Sequence, residues 1–567
     1  MKRNFLSIAD GSAPFFLESD RSSHNWSKAP LSHLEKSSLP SKKKHKRVRE
    51  SFSSYTKRIS KIGFNAVSLD EFCYLANYPF YPEILNKKIR SYRKKYKKLF
   101  KIAGQRGLQV FLTSDFFSGS EEVFREIGND EEKAWELFQF ALEDIFREFP
   151  EISGLILRIG ESDGVDVTGD FKSKLFLKKP EQANRLLGKI LPIFEKHNKT
   201  LIFRTWTLGA YEIGDLIWNR DTYRKVFQGI ESNSLVVSMK YGEGDFFRYL
   251  SLNPLFFEDG RPKLLELQAR REYEGFGEYP SFVGWLYQSY RDVLLPKANL
   301  VGISVWTQTG GWSSFKNITF LKRSSYWNEL NAFVSLKLFQ NPKKTLEDCV
   351  KDFYGKKNLA AFLLFLKYSD RVIENILYDP GFSRRTLYIH RVRIPTLLHA
   401  TWDKITVSDP FRRLYSFWNT SPSESVRLAE ESFPLLKKMK RISKKLKLPY
   451  DARFQEDTFQ LLLNARKLLY KHNPILFSET KRLTKRYHKK YPNTFRFQFA
   501  PPKGKPSFAV GLILKMFVRK KKEYRILDRI LFSSLFRKIY YLFFLGIRKR
   551  LPDFVNRQGM PIRELLG

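Results

Sequence analysis

Leu155-Ile156-Leu157-Arg158-Ile159-Gly160-Glu161-Ser162-Asp163-Gly164 is the stretch of sequence that decides the fold class of this chain. An apolar, β-branched run ends at a glycine and is followed at once by a carboxylate. The same pattern, a short apolar strand, a polar, aromatic or acidic tip and a longer polar stretch, recurs seven more times between about residues 60 and 310. Eight such units predict a (β/α)8 barrel, in which the reactive residues lie at the C-terminal ends of the strands.

The predicted strands are apolar at nearly every position, as expected for strands buried on both faces. They cover residues 64–69, 108–116, 154–160, 200–206, 235–241, 263–268, 281–287 and 300–307. Between them, residues 87–103, 132–149 and 180–197 place apolar side chains three and four positions apart, which predicts helices. The alternative is an open, doubly wound sheet, but eight regularly spaced strands fit closure better.

Composition limits the chemistry. The chain has 567 residues, of which 42% are hydrophobic, so it can form a barrel and one or two further domains. Its two cysteines, Cys73 and Cys349, rule out a disulfide framework. The eight histidines are scattered, without an HxxxH pair or a His/Asp cluster. We therefore expect neither a catalytic metal nor another cofactor.

The positive charge is large. Lysine and arginine number 101 against 59 acidic residues, which gives a net charge of +42. Such charge attracts nucleic acid, anionic lipid or acidic polysaccharide. The alternative is that it is spread over solvated faces without a single partner. Because the sequence contains no zinc finger or RNP-like aromatic motif, we expect no specific nucleic-acid partner.

The chain divides into four segments by composition. We predict a basic, flexible N-terminal arm at 1–50, a (β/α)8 catalytic barrel at 51–315, an α-helical domain at 316–500 and a basic, aromatic C-terminal segment at 501–567. The N-terminal residues lack the apolar core of a signal peptide, so a cytoplasmic location is expected.

The C-terminal segment contains two apolar, aromatic stretches, 508–518 and 530–547, flanked by basic residues. Arg537 and Lys538 interrupt the second stretch, which makes it a poor transmembrane span. One interpretation is an interfacial helix that attaches the protein peripherally to an anionic membrane. The other is a pair of ordinary helices packed on their neighbours.

The candidate site consists of side chains at the ends of different strands, which meet at one mouth of a barrel. The acids are Glu161, Asp245 and Glu266, and Arg204, Lys240 and several tryptophans accompany them. Acids and tryptophans without a metal or phosphate motif predict glycoside hydrolysis, in which one carboxylic acid protonates the leaving oxygen and another carboxylate activates water or attacks. Singly, each acid could be a salt-bridge partner and each tryptophan a core residue. The tryptophans that could offer apolar faces to sugar rings are Trp206, Trp285, Trp306 and Trp312.

These motifs resemble those of the family 67 glycoside hydrolases, the α-glucuronidases, over roughly residues 60–355. The tip at 158–164 is similar to the family's acid-bearing tip. Residues 240–245 match its Lys, four residues, Asp pattern and are followed by Asn253-Pro254-Leu255. Glu266-Leu267-Gln268 leads to Glu272-Tyr273-Glu274-Gly275, as in the family's Glu-Leu-Gln and Glu-Tyr motifs. Residues 310–312 and 326–333 resemble the segment after its last strand.

The resemblance implies roles for individual residues. Glu161 would be the general acid, Asp245 and Glu266 the paired bases, and Arg204 and Lys240 the cations that face a uronic carboxylate. It implies a hydrolase that acts on a uronic-acid-containing glycan. We expect inversion, which requires the acid and the base to stand about 6.5–9.5 Å apart, whereas retention would require about 5–5.5 Å. From their places at strand ends, Trp206 and Trp306 are expected to contact the substrate. The chain departs from the family because residues 1–50 cannot form its N-terminal β-rich domain. The alternatives are a non-catalytic carbohydrate-binding barrel, or a membrane-surface protein in cell-surface polysaccharide assembly or trimming.

Overall fold

A computed structural model describes residues 5–16, 31–128, 130–159, 169–207, 211–308, 317–321, 325–389 and 421–502, with isolated residues between 392 and 415 and between 518 and 542. The prediction of a membrane-binding C-terminal segment therefore lies almost wholly outside the described residues. Within them, no helix is both long enough and apolar enough to cross a membrane.

Eight parallel strands form a closed barrel, which confirms the predicted fold class. Each strand pairs with its sequence neighbours, and the last pairs with the first. The strands are β1 Leu6–Asp10, β2 Ala66–Leu69, β3 Gln109–Asp115, β4 Ile152–Arg158, β5 Thr200–Arg204, β6 Leu235–Lys240, β7 Lys263–Gln268 and β8 Leu300–Trp306.

Helices return the chain between the strands. They are α1 Lys42–Ile62, α2 Glu83–Gly104, α3 Glu131–Glu148, α4 Pro180–Lys196, α5 Arg220–Phe227, α6 Gly284–Leu294 and, after β8, α7 Tyr326–Gln340. The β6–β7 connection has a 3-10 turn, Pro254–Phe257, in place of a long helix. Short helices at Ala13–Phe16 and Glu121–Ile127 precede α1 and α3. The three helices predicted between strands are confirmed as α2, α3 and α4, to within a few residues at each end.

The prediction of a flexible arm at 1–50 is wrong for the residues described there. Leu6–Asp10 is the first barrel strand and pairs with both β8 and β2, and Lys42 begins the 21-residue helix α1. The strand was missed because it has only five residues, with Ser7 and Asp10 among them, so no apolar run marks it. Pairing on both edges supplies the order that its own sequence does not.

The predicted strand at 281–287 is also wrong, because Gly284 begins helix α6. Its aromatic residues suggested a strand, since aromatic side chains are enriched there. In the structure Tyr287, Tyr290, Arg291 and Leu294 are buried at three- and four-residue spacing, which is the pattern of an amphipathic helix. With β1 in place the barrel already has eight strands.

The region after the barrel is mostly helical, as predicted. Its helices are α8 Leu346–Tyr354, α9 Leu359–Leu377, α10 Pro422–Leu446, α11 Ala452–Tyr470 and α12 Pro474–Lys490, with a short helix at Pro380–Ser383. A parallel strand pair, Lys404–Val407 with Arg496–Phe499, links the middle of this region to its end. Helix α9 packs against the loops at one end of the barrel, where Ser369 Oγ donates to the carbonyl oxygen of Pro280 at 3.2 Å.

Candidate functional site

The inward-facing side chains of the barrel form successive layers, and the candidate site lies in the polar layer nearest the C-terminal ends of the strands. Side chains two positions apart on a strand point to the same face, so inward residues repeat along each strand. One inward layer is a closed apolar cluster: Ile8, Ala66, Phe111, Ile156, Ile202, Val236 and Leu264. The residues two positions later on the same strands are mostly polar and line a cavity of about 530 Å³: Asp10, Ser68, Thr113, Arg158, Arg204, Ser238 and Glu266. The C-terminal mouth is therefore a polar cavity on an apolar floor.

Arg204 and Glu266 form a two-pronged ion pair across this cavity. Nε and Nη2 of Arg204 donate to Oε1 and Oε2 of Glu266 at 2.8 and 2.9 Å, and Ser238 Oγ donates to Oε1 at 2.9 Å. The guanidinium lies 4.8 Å from the ring centre of Trp306. Burial raises the pKa of Glu266, but the charge and hydrogen bonds of Arg204 outweigh it and lower that pKa. Glu266 is therefore ionised and held in place.

Lys240 and Asp245 form the second ion pair, in an adjoining pocket of about 300 Å³ that shares Glu266 with the first. Lys240 Nζ lies 2.5 Å from Asp245 Oδ1, and Tyr273 Oη donates to Asp245 Oδ2 at 2.7 Å. The ammonium also lies 3.6 Å from the ring centre of Trp206. Burial raises the pKa of Asp245, yet Lys240 and these hydrogen bonds lower it overall.

Glu272 is the buried acid that the sequence-based site assignment missed. It lies four residues after Gln268, whose Nε2 donates to Glu272 Oε1 at 3.0 Å. Burial, and then the negative charge of Asp245, raise the pKa of Glu272 to about 8. Two interacting carboxylates cannot both ionise easily, so Asp245 carries the charge and Glu272 carries the proton near neutral pH. The Glu-Tyr motif at 272–273 was the available signal in the sequence.

The raised pKa of Glu272 predicts a dependence of stability on pH. Because its pKa is about 8 when folded and 4.5 ordinarily, its contribution to stability is present below about pH 4.5 and is lost as pH rises towards 8. Glu272→Gln cannot ionise and should abolish this loss. We expect the melting temperature of the wild type to fall more than that of the variant between about pH 5 and about pH 8. If the melting temperatures of the two proteins change with pH by the same amount over that range, Glu272 is not a buried, protonated acid.

Of the other predicted site residues, only Trp285 lies in the described part of the chain, and it is not among the side chains that line the two pockets. Glu161 and Trp312 lie outside the described residues. Arg158, the last residue of β4, is buried and forms an ion pair with Asp115, Nε to Oδ1 at 2.6 Å. Trp285 lies on helix α6 rather than at a strand tip and packs edge-on against Phe282. The suggestion that Trp285 offers a face to sugar is thus not supported by its position.

Asp10 and Asp70 are further acids of the cavity that sequence reasoning did not single out. Both line the larger cavity. Asp10 Oδ1 accepts from Thr307 Oγ1 at 2.9 Å and its Oδ2 from the backbone N–H of Gln308 at 3.0 Å, while Asp70 accepts from Thr113 Oγ1. Asp10 was overlooked because β1 was assigned to an arm. In the described part of the chain, no group of three or more His, Cys, Asp or Glu side chains could hold a metal ion.

No protein-family model matches the chain, and no curated protein matches it either. Among solved structures, the fold is similar to that of a GH138 enzyme targeting pectin rhamnogalacturonan II, with a TM-score of 0.50 and 11% identity over 86% of this chain. This chain spans 62% of the length of that structure.

Two further solved structures are more distant. CpGH84B has a TM-score of 0.39 and 11% identity, covering 78% of this chain and 68% of its own. GH5_18 from Bifidobacterium longum subsp. longum has a TM-score of 0.35 and 14% identity, covering 52% and 74%. All three are glycoside hydrolases, and at identities this low the likeness shows the fold alone.

Proposed function

We propose that this chain is a glycoside hydrolase in which Asp245 and Glu272 are the paired carboxylates that act on water. The observation that carries the proposal is the arrangement of these two acids at the mouth end of the barrel. The half-buried Asp245 is held by Lys240 at 2.5 Å and Tyr273 at 2.7 Å, and its charge helps to raise the pKa of the buried Glu272 to about 8. When the environments of two neighbouring carboxyl groups separate their pKa values, the charged one can accept a proton from water while the protonated one donates a hydrogen bond to it.

The proposed steps use three carboxyl groups. Asp245, kept ionised by Lys240, removes a proton from a water molecule as that water attacks the anomeric carbon. Glu272, which is protonated, holds the same water through a hydrogen bond. Glu161 donates its proton to the leaving oxygen, a role that rests on the resemblance to the α-glucuronidases. Inversion requires the acid and the base to stand about 6.5–9.5 Å apart.

Glu266 receives a different role from the one that the resemblance suggested. Both of its oxygens accept hydrogen bonds from Arg204, so a proton taken up by Glu266 would break a buried ion pair. We therefore assign the partnership with Asp245 to Glu272 and regard Glu266 as the residue that orients Arg204 against Trp306.

We further propose that the substrate is a glycan that contains a uronic acid. This part of the proposal rests on the resemblance to family 67, and none of the similar structures named above is a member of that family. Arg204 and Lys240 line the two pockets, and a sugar carboxylate placed between them would meet two positive charges. The polysaccharide target of the similar GH138 enzyme agrees with a complex glycan as substrate.

The test is an activity screen on uronic-acid glycosides that differ in their leaving groups. Glu161→Gln should slow hydrolysis strongly when the leaving group is poor and much less when it is an activated phenol, because only the poor leaving group needs a proton. Glu272→Gln should slow both alike. If Glu272→Gln shows the leaving-group dependence instead, Glu272 is the general acid. If the wild type binds uronides but does not hydrolyse them, the chain is a carbohydrate-binding barrel and not an enzyme.

The acidic-sugar claim has its own test. Arg204→Ala removes a charged contact worth roughly 1.5–3 kcal/mol, so kcat/KM for a uronide should fall by about 10- to 150-fold relative to the matched neutral glycoside. The informative quantity is the kcat/KM for the uronide divided by that for the neutral glycoside. Removing Arg204 also leaves Glu266 without its partner, and this second effect should lower the kcat/KM of both substrates. An unchanged ratio would remove the support for a uronic substrate.

A further inference from the structure

Helix α2 carries a stripe of lysines on its outer face. Lys87, Lys94, Lys98 and Lys101 follow one another at seven-, four- and three-residue steps and are all exposed. Residues at such spacing lie on one side of a helix. The arginines of the same helix are neutralised: Arg90 pairs with Glu83, and Arg93 with Asp144 and Glu148. The four lysines form no ion pair with any residue that the structure describes.

Helix α1 extends this positive surface. The ring of His45 on α1 lies 5.6 Å from that of Tyr92 on α2, so the two helices are in contact. Lys95 of α2 is near charges from both helices: burial lowers its pKa, and Lys98, Lys42 and Arg49 lower it further. The contributions of Lys42 and Arg49 to this pKa show that cations of α1 lie close to those of α2.

An apolar tip lies at the start of the same stripe. Ile84 precedes Lys87 by three residues and is 55% exposed. Phe80 is 37% exposed and stacks on Tyr78, which in turn stacks on Phe140 of α3, itself 45% exposed. Because barrel helices begin near the C-terminal ends of the strands, this tip lies towards the mouth of the barrel.

We propose that this lysine stripe and its apolar tip, Phe80, Ile84, Lys87, Lys94, Lys98 and Lys101, dock on an anionic phospholipid bilayer. Apolar side chains beside lysines are the pattern of an interfacial membrane contact, with the tip in the headgroup region and the ammonium groups on lipid phosphates. Lysine is a hydrated point charge that binds phosphate without a fixed partner geometry, and the exposed Ile84 and Phe80 beside the stripe suit a bilayer better than a nucleic acid. Docking through the whole stripe would lay helix α2 along the bilayer surface, because the four lysines extend over most of its length. The proposal depends neither on the C-terminal segment nor on catalysis.

The experiment is co-sedimentation of the full chain with vesicles of phosphatidylcholine, with and without phosphatidylglycerol. The stripe variant combines Lys87→Ser, Lys94→Ser, Lys98→Ser and Lys101→Ser. A matched control removes the same charge from exposed residues of helix α12, none of which pairs with a described acid: Lys481→Ser, Arg482→Ser, Lys485→Ser and Arg486→Ser. A third variant, Ile84→Ser, removes only the most exposed apolar residue of the tip. Melting temperatures verify that all four proteins are folded.

We expect the wild type to sediment with anionic vesicles only. The stripe variant should bind on the order of 10²- to 10³-fold more weakly, whereas the α12 control should lose far less, because only charges near the membrane surface contribute. Ile84→Ser should also weaken binding. Equal losses in the two fourfold variants would show an effect of net charge and overturn the proposal. The proposal would also be overturned if the stripe variant or Ile84→Ser bound vesicles as tightly as the wild type. Binding of the wild type to DNA or polygalacturonate but not to vesicles would overturn it as well.

Discussion

Asp245→Asn is expected to lower kcat by about 10²–10⁴-fold for every glycoside that the protein hydrolyses, whatever the leaving group. The amide keeps the shape of the side chain and its contact with Tyr273, but it cannot accept a proton from water. The loss should appear in kcat rather than in KM, because the negative charge of Asp245 acts on the transition state. Steady-state kinetics on one activated and one poor leaving group measure both quantities.

The control for this variant is Glu243→Gln in the same loop. Glu243 accepts a hydrogen bond from Tyr388 at 3.2 Å and is outside the Asp245–Glu272 pair, so its change should leave kcat within a few-fold of the wild type. The wild-type rate should also fall above about pH 8, where Glu272 loses its proton and a second negative charge appears beside Asp245. A kcat for Asp245→Asn within tenfold of the wild type would exclude Asp245 as the base.

Glu274→Gln is expected to destabilise the fold by about 3–5 kcal/mol, the cost of breaking a buried ion pair by removing one partner. Glu274 is fully buried and accepts hydrogen bonds from Arg248 at 3.0 Å, Arg271 at 2.6 Å and Tyr378 at 2.6 Å. The glutamine would leave two buried arginines facing a neutral amide. Urea unfolding, which yields the free energy of unfolding directly, is the measurement.

The same cluster sets a response to acid. Burial raises the pKa of Glu274, but Arg248 and Arg271 hold it far below its ordinary value of 4.5. The stabilisation is therefore complete above about pH 4.5 and is lost as pH falls below that, so the variant should be less sensitive to acid than the wild type. Glu83→Gln, which breaks the exposed pair with Arg90, serves as the control and should cost at most about 1 kcal/mol. A similar cost in both variants would contradict the role given to Glu274.

Much of the fold could be predicted because most of its strands and helices have recognisable short-range sequence patterns. Seven barrel strands and the first three long helices between them were recognisable, since a buried parallel strand is a continuous apolar run and a barrel helix repeats every three to four residues. The sequence also placed Lys240 and Asp245 together at one strand end, five residues apart, but the ion pair between them is a finding of the structure. The two errors, at β1 and at 281–287, occurred where a short or aromatic segment takes its conformation from its neighbours.

The sequence by itself determined the barrel, its helical C-terminal region and the acids at its strand ends. Only the tertiary structure decided which charged groups each of these acids lies beside. Closure of the barrel brings Arg204 of β5 to Glu266 of β7, 62 residues away, and so keeps Glu266 ionised and engaged. It also buries Glu272 near Asp245, and that burial, with the neighbouring charge, raises the pKa of Glu272 to about 8. Residue type and spacing are properties of the chain, but desolvation and the distance between charges exist only once the chain has folded.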